Sequence, residues 1–149
     1  MKKLNFLFSY RSIAVFFCIL ATVSLFFPIY SARTELESAF IVTIHGFNLA
    51  EFSGFGGIVI TTPFLLAALL LCNRLSASIR TVCLFILTMA CSYALPAALF
   101  EAKQYLTINV GSFSRHSGLS FFISLLIAAV LLALASISEN ACTAIAENT

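Results

Sequence analysis

The sequence predicts an all-α membrane protein, a bundle of four transmembrane helices with room for a small two-stranded sheet from its two outer loops. Spacing is the first observation behind this. Residues 12–32, 52–73, 81–100 and 117–138 carry no Asp, Glu, Lys or Arg, and these stretches run 21, 22, 20 and 22 residues. About 20 apolar residues in helical form cross the ~30 Å hydrocarbon core of a bilayer. All eight basic and six acidic residues fall between or beyond those stretches. Composition is the second observation: 61% of the chain is hydrophobic, 9% is charged and the mean hydropathy is +1.06. Soluble domains carry about 25% charged residues. The net charge of +2 is scattered along the chain, which excludes the concentrated basic stripe that nucleic acid requires.

The spans are expected at about 12–31, 54–72, 81–100 and 118–137, in one integral membrane domain of 149 residues. The first follows the basic start Lys2, Lys3 and Arg11 and holds eleven Leu, Ile, Val or Phe residues between Ser12 and Tyr30. That apolar run exceeds the ~7–15 residues of a secretory signal, and Tyr30 is bulky where a cleavage site wants a small side chain. A retained helix is therefore expected. With the N-terminus cytoplasmic, Lys2, Lys3, Arg11, Arg74 and Arg80 lie inside and Arg33, Lys103 and Arg115 outside, a positive-inside bias. Four spans return the polar tail Glu139–Thr149 to the cytoplasm, where a frayed end is expected. Compactness and the Lys-Lys start suit a bacterial inner membrane.

The inner connection, Asn73–Arg80, reads as a tight turn. The outer loops, about 32–53 and 101–117, are longer. Each holds a β-prone piece closed by glycine: Phe40–Ile44 before Gly46, and Tyr105–Val110 before Gly111. Pairing between these two strands is expected. Asn48 followed by Glu51 resembles a capping signal for a short helix leading into the second span. Ser24, Pro28, Thr43-Ile44 and Ser53-Gly54 match Ser92, Pro96, Thr107-Ile108 and Ser117-Gly118, suggesting a duplicated helical hairpin.

Within the spans there is no ionisable Asp, Glu, Lys, Arg or His. Proton relays, ion-coupled carriers and voltage sensors depend on such groups. Thr61-Thr62-Pro63 is the one polar interruption, read as a proline kink whose freed carbonyls the threonines satisfy, with backbone ion coordination the sharper alternative. Ala90, Ala94 and Ala98 form one small-residue stripe, and Ser120, Ser124 and Ala128 another. Such stripes let helices approach closely in lipid, either within the bundle or against a partner helix. Tyr93 falls mid-span, so its hydroxyl is expected to find Ser24 or Thr22 on a neighbouring helix.

Catalytic chemistry is not visible, and no catalytic, cofactor-binding or metal residue is assigned. Cys18 and Cys91 lie within spans, Cys72 and Cys83 at the inner boundary and Cys142 in the tail. This excludes the quinone-linked thiol oxidases, which need accessible paired thiols on the oxidising side. His45 and His116 share the outer side but show no ligand spacing of a zinc site. There is no Gly-x-Ser-x-Gly, phosphate loop or His-Glu-x-x-His run. In layout, the longer first outer loop and β-prone outer segments look like tetraspan proteins of the claudin type. The Trp and paired cysteines of that family's first loop are absent, so the likeness is architectural. The expected function is non-enzymatic: an accessory membrane protein that binds a membrane-protein partner or its own copies. A subunit of an oligomeric transporter or channel, and an immunity protein against a membrane-acting toxin, are the alternatives.

Overall fold

A computed structural model describes residues 9–33, 41–72, 74–109 and 113–146. The basic start at Lys2 and Lys3, Glu35, Glu37, Phe40 and Gly111 lie outside the described residues. The chain is mostly helical with one small sheet.

Helix α1, Tyr10–Ser24, begins at Ser9, whose hydroxyl accepts the Ser12 amide at 3.3 Å. It stops seven residues short of the expected span end at 31. The amides of Leu25, Phe26 and Phe27 reach back to the carbonyls of Thr22, Val23 and Ser24, tightening the last turn. Pro28 then disfavours helical backbone at Phe27. The rest of the first apolar stretch becomes strand β1, Pro28–Arg33, with proline at the first position, where its missing amide does least harm. Strand β2, Ile41–His45, pairs antiparallel with β1, placing Pro28 opposite His45 and Tyr30 opposite Ile44.

A 3-10 turn, Gly46–Asn48, and a one-turn helix α2, Leu49–Phe52, follow. This is the short helix expected from Asn48 and Glu51, although the Asn48 amide group donates to the Glu51 carboxylate at 3.2 Å instead of capping the backbone. Helix α3, Gly56–Leu71, carries Pro63. Helix α4, Ala77–Asn109, runs 33 residues. It is followed by β3, Phe113–Arg115, and helix α5, Gly118–Ala146.

The sheet has three strands in the order β2-β1-β3, all antiparallel. The expected two-stranded pairing of 40–44 with 105–110 is therefore corrected. The two loops contribute β2 and β3, but these flank β1 and do not touch as a pair. Residues 105–109 are the last turn of α4. Ala94, Ala98, Ala102 and Leu106 are fully buried at a four-residue spacing, so packing of this stripe overrides the local β preference. The outer loop expected from 101 begins only after Asn109. The tail expected to fray after Glu139 continues as helix to Ala146.

The duplication is not expressed in the fold. Pro28 opens a strand whereas Pro96 lies inside α4, and Thr43-Ile44 is strand whereas Thr107-Ile108 is helix.

Among the described helices, α4 over Ala77–Thr107 and α5 over Gly118–Ser138 are long and apolar enough to cross a membrane. Helices α1 and α3 are apolar but shorter, at 15 and 16 residues. Only 22% and 28% of the two long windows are buried, which is the opposite of a soluble protein's core helix. Phe16, Ile19, Phe64, Leu65, Phe85, Ile86, Phe121 and Leu131 are all exposed. Soluble monomers rarely show so continuous an apolar exterior. Two helices of this kind point to a membrane protein.

Candidate functional site

Side-chain size decides how the helices meet. Helix α1 buries Ala14, Cys18, Ala21 and Ser24, and α5 buries Ala129 and Ala133. These faces let α1 and α5 pack closely along their length. Helix α1 also packs on α3, and α3 on α4, whereas α4 and α5 meet less extensively than these pairs. The stripe Ser120, Ser124 and Ala128 does not pack inside the bundle: both serines are exposed, and Ser124 donates to the Ser120 carbonyl of its own helix at 2.8 Å. The buried line on α5 is Phe122, Leu126, Ala129 and Ala133 instead.

The loose α4–α5 seam leaves an open apolar groove of about 230 Å³, floored by α3. Leu84, Leu87, Leu95, Ile123, Leu126 and Val130 form much of its wall, and Thr62, Thr88, Cys91 and Ser92 are its polar members. The polar ribbon runs up one face of α4. Thr88 donates to the Leu84 carbonyl, leaving its oxygen free to accept. The Cys91 thiol lies within hydrogen-bonding reach of the Thr62 hydroxyl. Pro96 cannot supply the amide that the Ser92 carbonyl would take in a regular helix.

The Thr61-Thr62-Pro63 segment is helical throughout. Thr61 donates to the Gly57 carbonyl at 2.9 Å, and Thr62 to that of Ile58 at 2.7 Å. Both acceptors precede Val59, the residue whose carbonyl proline deprives of a donor, so the threonines do not reach it. Tyr93 departs from expectation as well. It is 70% exposed and stands edge-on to Phe55, while Thr22 and Ser24 donate within α1 to Cys18 and Ala21.

One end of the helices is closed by the sheet. His45 Nδ1 donates to the Phe26 carbonyl at 2.7 Å, and His116 Nε2 shares a hydrogen bond of 2.6 Å with the Ser31 hydroxyl. His45, the last residue of β2, is tied to the link between α1 and β1, and His116, just after β3, is tied to β1 itself. Among the described residues, no three His, Cys, Asp or Glu side chains converge on a metal-sized site. Cys18, Cys72, Cys83 and Cys91 are free thiols, with Cys18 and Cys91 buried. Phe52 stacks obliquely on Tyr105, joining α2 to the end of α4.

The opposite end is basic. Arg11 in the first turn of α1 lies within electrostatic reach of Arg80, in the first turn of α4, and of Cys72. Burial first, and the Arg80 charge second, hold the Arg11 guanidinium below its ordinary pKa. An arginine so shifted stays charged at physiological pH.

The groove was only partly visible in the sequence. Thr62 stood out beside Pro63, but Thr88 and Ser92 did not. The signal was there: Leu84, Thr88, Cys91 and Leu95 share one helical face, and Pro96 stands four residues after Ser92. No protein-family model matches the chain, and no curated protein and no solved structure is significantly similar to it.

Proposed function

We propose that this chain is a multi-pass integral membrane protein that acts without catalysis, by receiving a transmembrane helix of a partner protein in the groove between α4 and α5. All four long helices cross the bilayer in this reading, alternating in direction, with the sheet on the outer side and both termini cytoplasmic. The bilayer is the inner membrane of a bacterium. Support for four crossings comes from the apolar exterior of every long helix, including Phe16 and Ile19 on α1 and Phe64 and Leu65 on α3. At 1.5 Å per residue, α1 and α3 reach only about 22–24 Å, a mismatch that local thinning of the bilayer accommodates.

The observation that carries the partner reading is an open, largely apolar groove with the hydroxyls of Thr88 and Ser92 on its α4 wall. Lipid tails fill apolar grooves but offer nothing to Thr88 and Ser92. A helix with small or hydroxyl-bearing residues offers both close approach and hydrogen bonds. A photo-reactive residue at position 127, on the α5 wall of the groove, is expected in native membranes to give one discrete heavier adduct containing a second protein. The same residue at position 85, on an exposed face outside the groove, is expected to give none. The paired change Thr88→Leu and Ser92→Leu fills the groove and abolishes the adduct. Adducts containing only this chain would move the reading to a self-assembling transporter or channel subunit. Labelling of lipid alone would overturn it.

A further inference from the structure

Ser92 stands at the middle of the apolar stretch Ala77–Thr107 of α4, exposed on the wall of the α4–α5 groove. Two of its polar groups are left over there. Pro96 has no amide to give the Ser92 carbonyl. The Ser92 hydroxyl makes no hydrogen bond among the described residues. The neighbouring hydroxyls are spent: Thr88 donates to the Leu84 carbonyl and Thr62 to the Ile58 carbonyl. Each has a single hydrogen, so its oxygen can only accept. At mid-depth in a bilayer no water is at hand, and an unmatched carbonyl or hydroxyl is costly. The polar side of the groove therefore calls for a donor and an acceptor side by side.

The helices themselves show which side chains can supply that. Thr22, Thr61, Thr62, Thr81, Thr107 and Ser124 each donate to the carbonyl four residues back in their own helix. A serine or threonine on an incoming helix is drawn into the same bond and has no hydrogen left to offer across the interface. Lysine and arginine have hydrogens to spare, but their charge is expensive at this depth. Tryptophan donates and cannot accept. A carboxamide has two N–H donors and an accepting oxygen, and it is neutral.

We propose that the helix received in the α4–α5 groove carries an asparagine or glutamine at mid-depth. One of its N–H groups donates to the Ser92 carbonyl, and its oxygen accepts from the Ser92 hydroxyl. The second amide hydrogen remains for the Thr88 oxygen. This deepens the partner reading above and rests on it: close approach admits a helix, and the carboxamide selects which one.

The test uses the full chain in phosphatidylcholine vesicles, with the photo-reactive residue at position 127. The probe is a synthetic leucine–alanine helix of about 21 residues with one central Asn, kept too dilute to pair with itself. The same helix with Leu or Ser at its centre is the comparison. Wild type is expected to label the Asn helix about three- to tenfold more than either, the scale of one hydrogen bond between helices in lipid. Pro96→Ala supplies the missing amide to the Ser92 carbonyl and should remove most of that preference. Ser92→Ala, which keeps the carbonyl and loses the hydroxyl, should fall between. Should Pro96→Ala fail to fold, the wild-type comparison and Ser92→Ala still decide. Equal labelling of the Asn and Leu helices, or a preference that survives both variants, would overturn the carboxamide while the adduct in native membranes still upheld the partner reading. Loss of that native adduct would remove the reading and this inference together.

Discussion

Adjacent glycines at the start of α3 provide a sharp internal comparison. Gly56 packs against α2: a Cβ at that position would collide with the Leu49 carbonyl carbon and oxygen and the Ala50 amide. All three are backbone atoms, so no flexible side chain can yield. A Cβ at Gly57 meets nothing within 4 Å. Replacing Gly57 by Ala should therefore stabilise α3 by up to ~1 kcal/mol, the helix-propensity difference between the two residues. Gly56→Ala gains the same propensity but must push α2 away from α3, and overpacking of this kind costs about 1–3 kcal/mol. The net separation between the two variants is about 2 kcal/mol, roughly thirtyfold in the folding equilibrium. Equilibrium unfolding in mixed micelles, followed by circular dichroism, reads this directly. Movement of both variants in the same direction by similar amounts would refute the α2–α3 packing.

Other outcomes follow from burial. Phe122→Ala empties one of the largest fully buried positions and should cost about 3–5 kcal/mol, measured by the same unfolding assay. Ala133→Leu should separate α1 from α5 and destabilise by about 1–3 kcal/mol, whereas Ser124→Leu, on the exposed face, should be nearly neutral. Removing the His45 side chain by His45→Ala deletes its bond to the Phe26 carbonyl. The loss should be about 0.5–1.5 kcal/mol, read as faster hydrogen exchange around the sheet without change in the helices.

Helix existence was legible because the same residues that signal an apolar span also drive α4 and α5 to form. The limits of those helices were not. Charge at Glu101 and Lys103 suggested that the third span ends at 100, but a helix does not stop where lipid stops. The buried positions 94, 98, 102 and 106 keep the backbone helical for two more turns. At the first span the error ran the other way. An uncharged window treats Pro28, Ile29 and Tyr30 as membrane-embedded helix, whereas proline breaks the hydrogen-bond ladder and the two apolar residues bury themselves in the sheet region. Strand β3 is only three residues long, too short for alternation to register. The groove was harder still, because a seam that fails to close leaves no periodic trace on either helix alone.

That seam nonetheless has a cause in the residues. Where α1 meets α5, Ala14, Cys18 and Ala21 on one helix match Ala129 and Ala133 on the other, and backbones can approach closely. Along the α4–α5 seam, Leu84, Leu87 and Leu95 stand near Ile123, Ile127 and Val130. Branched side chains on both sides hold the helix axes apart, while the sheet and the Phe52–Tyr105 contact hold their upper ends in place. The residues that would let α4 close, Ala94, Ala98 and Ala102, are already committed to the buried side near the sheet. An intramolecular remedy would require rotating α4, which would bury Tyr93 and expose that alanine stripe. The gap is therefore left to whatever surrounds the bundle, and the partner helix proposed above would meet the hydroxyls of Thr88 and Ser92 there.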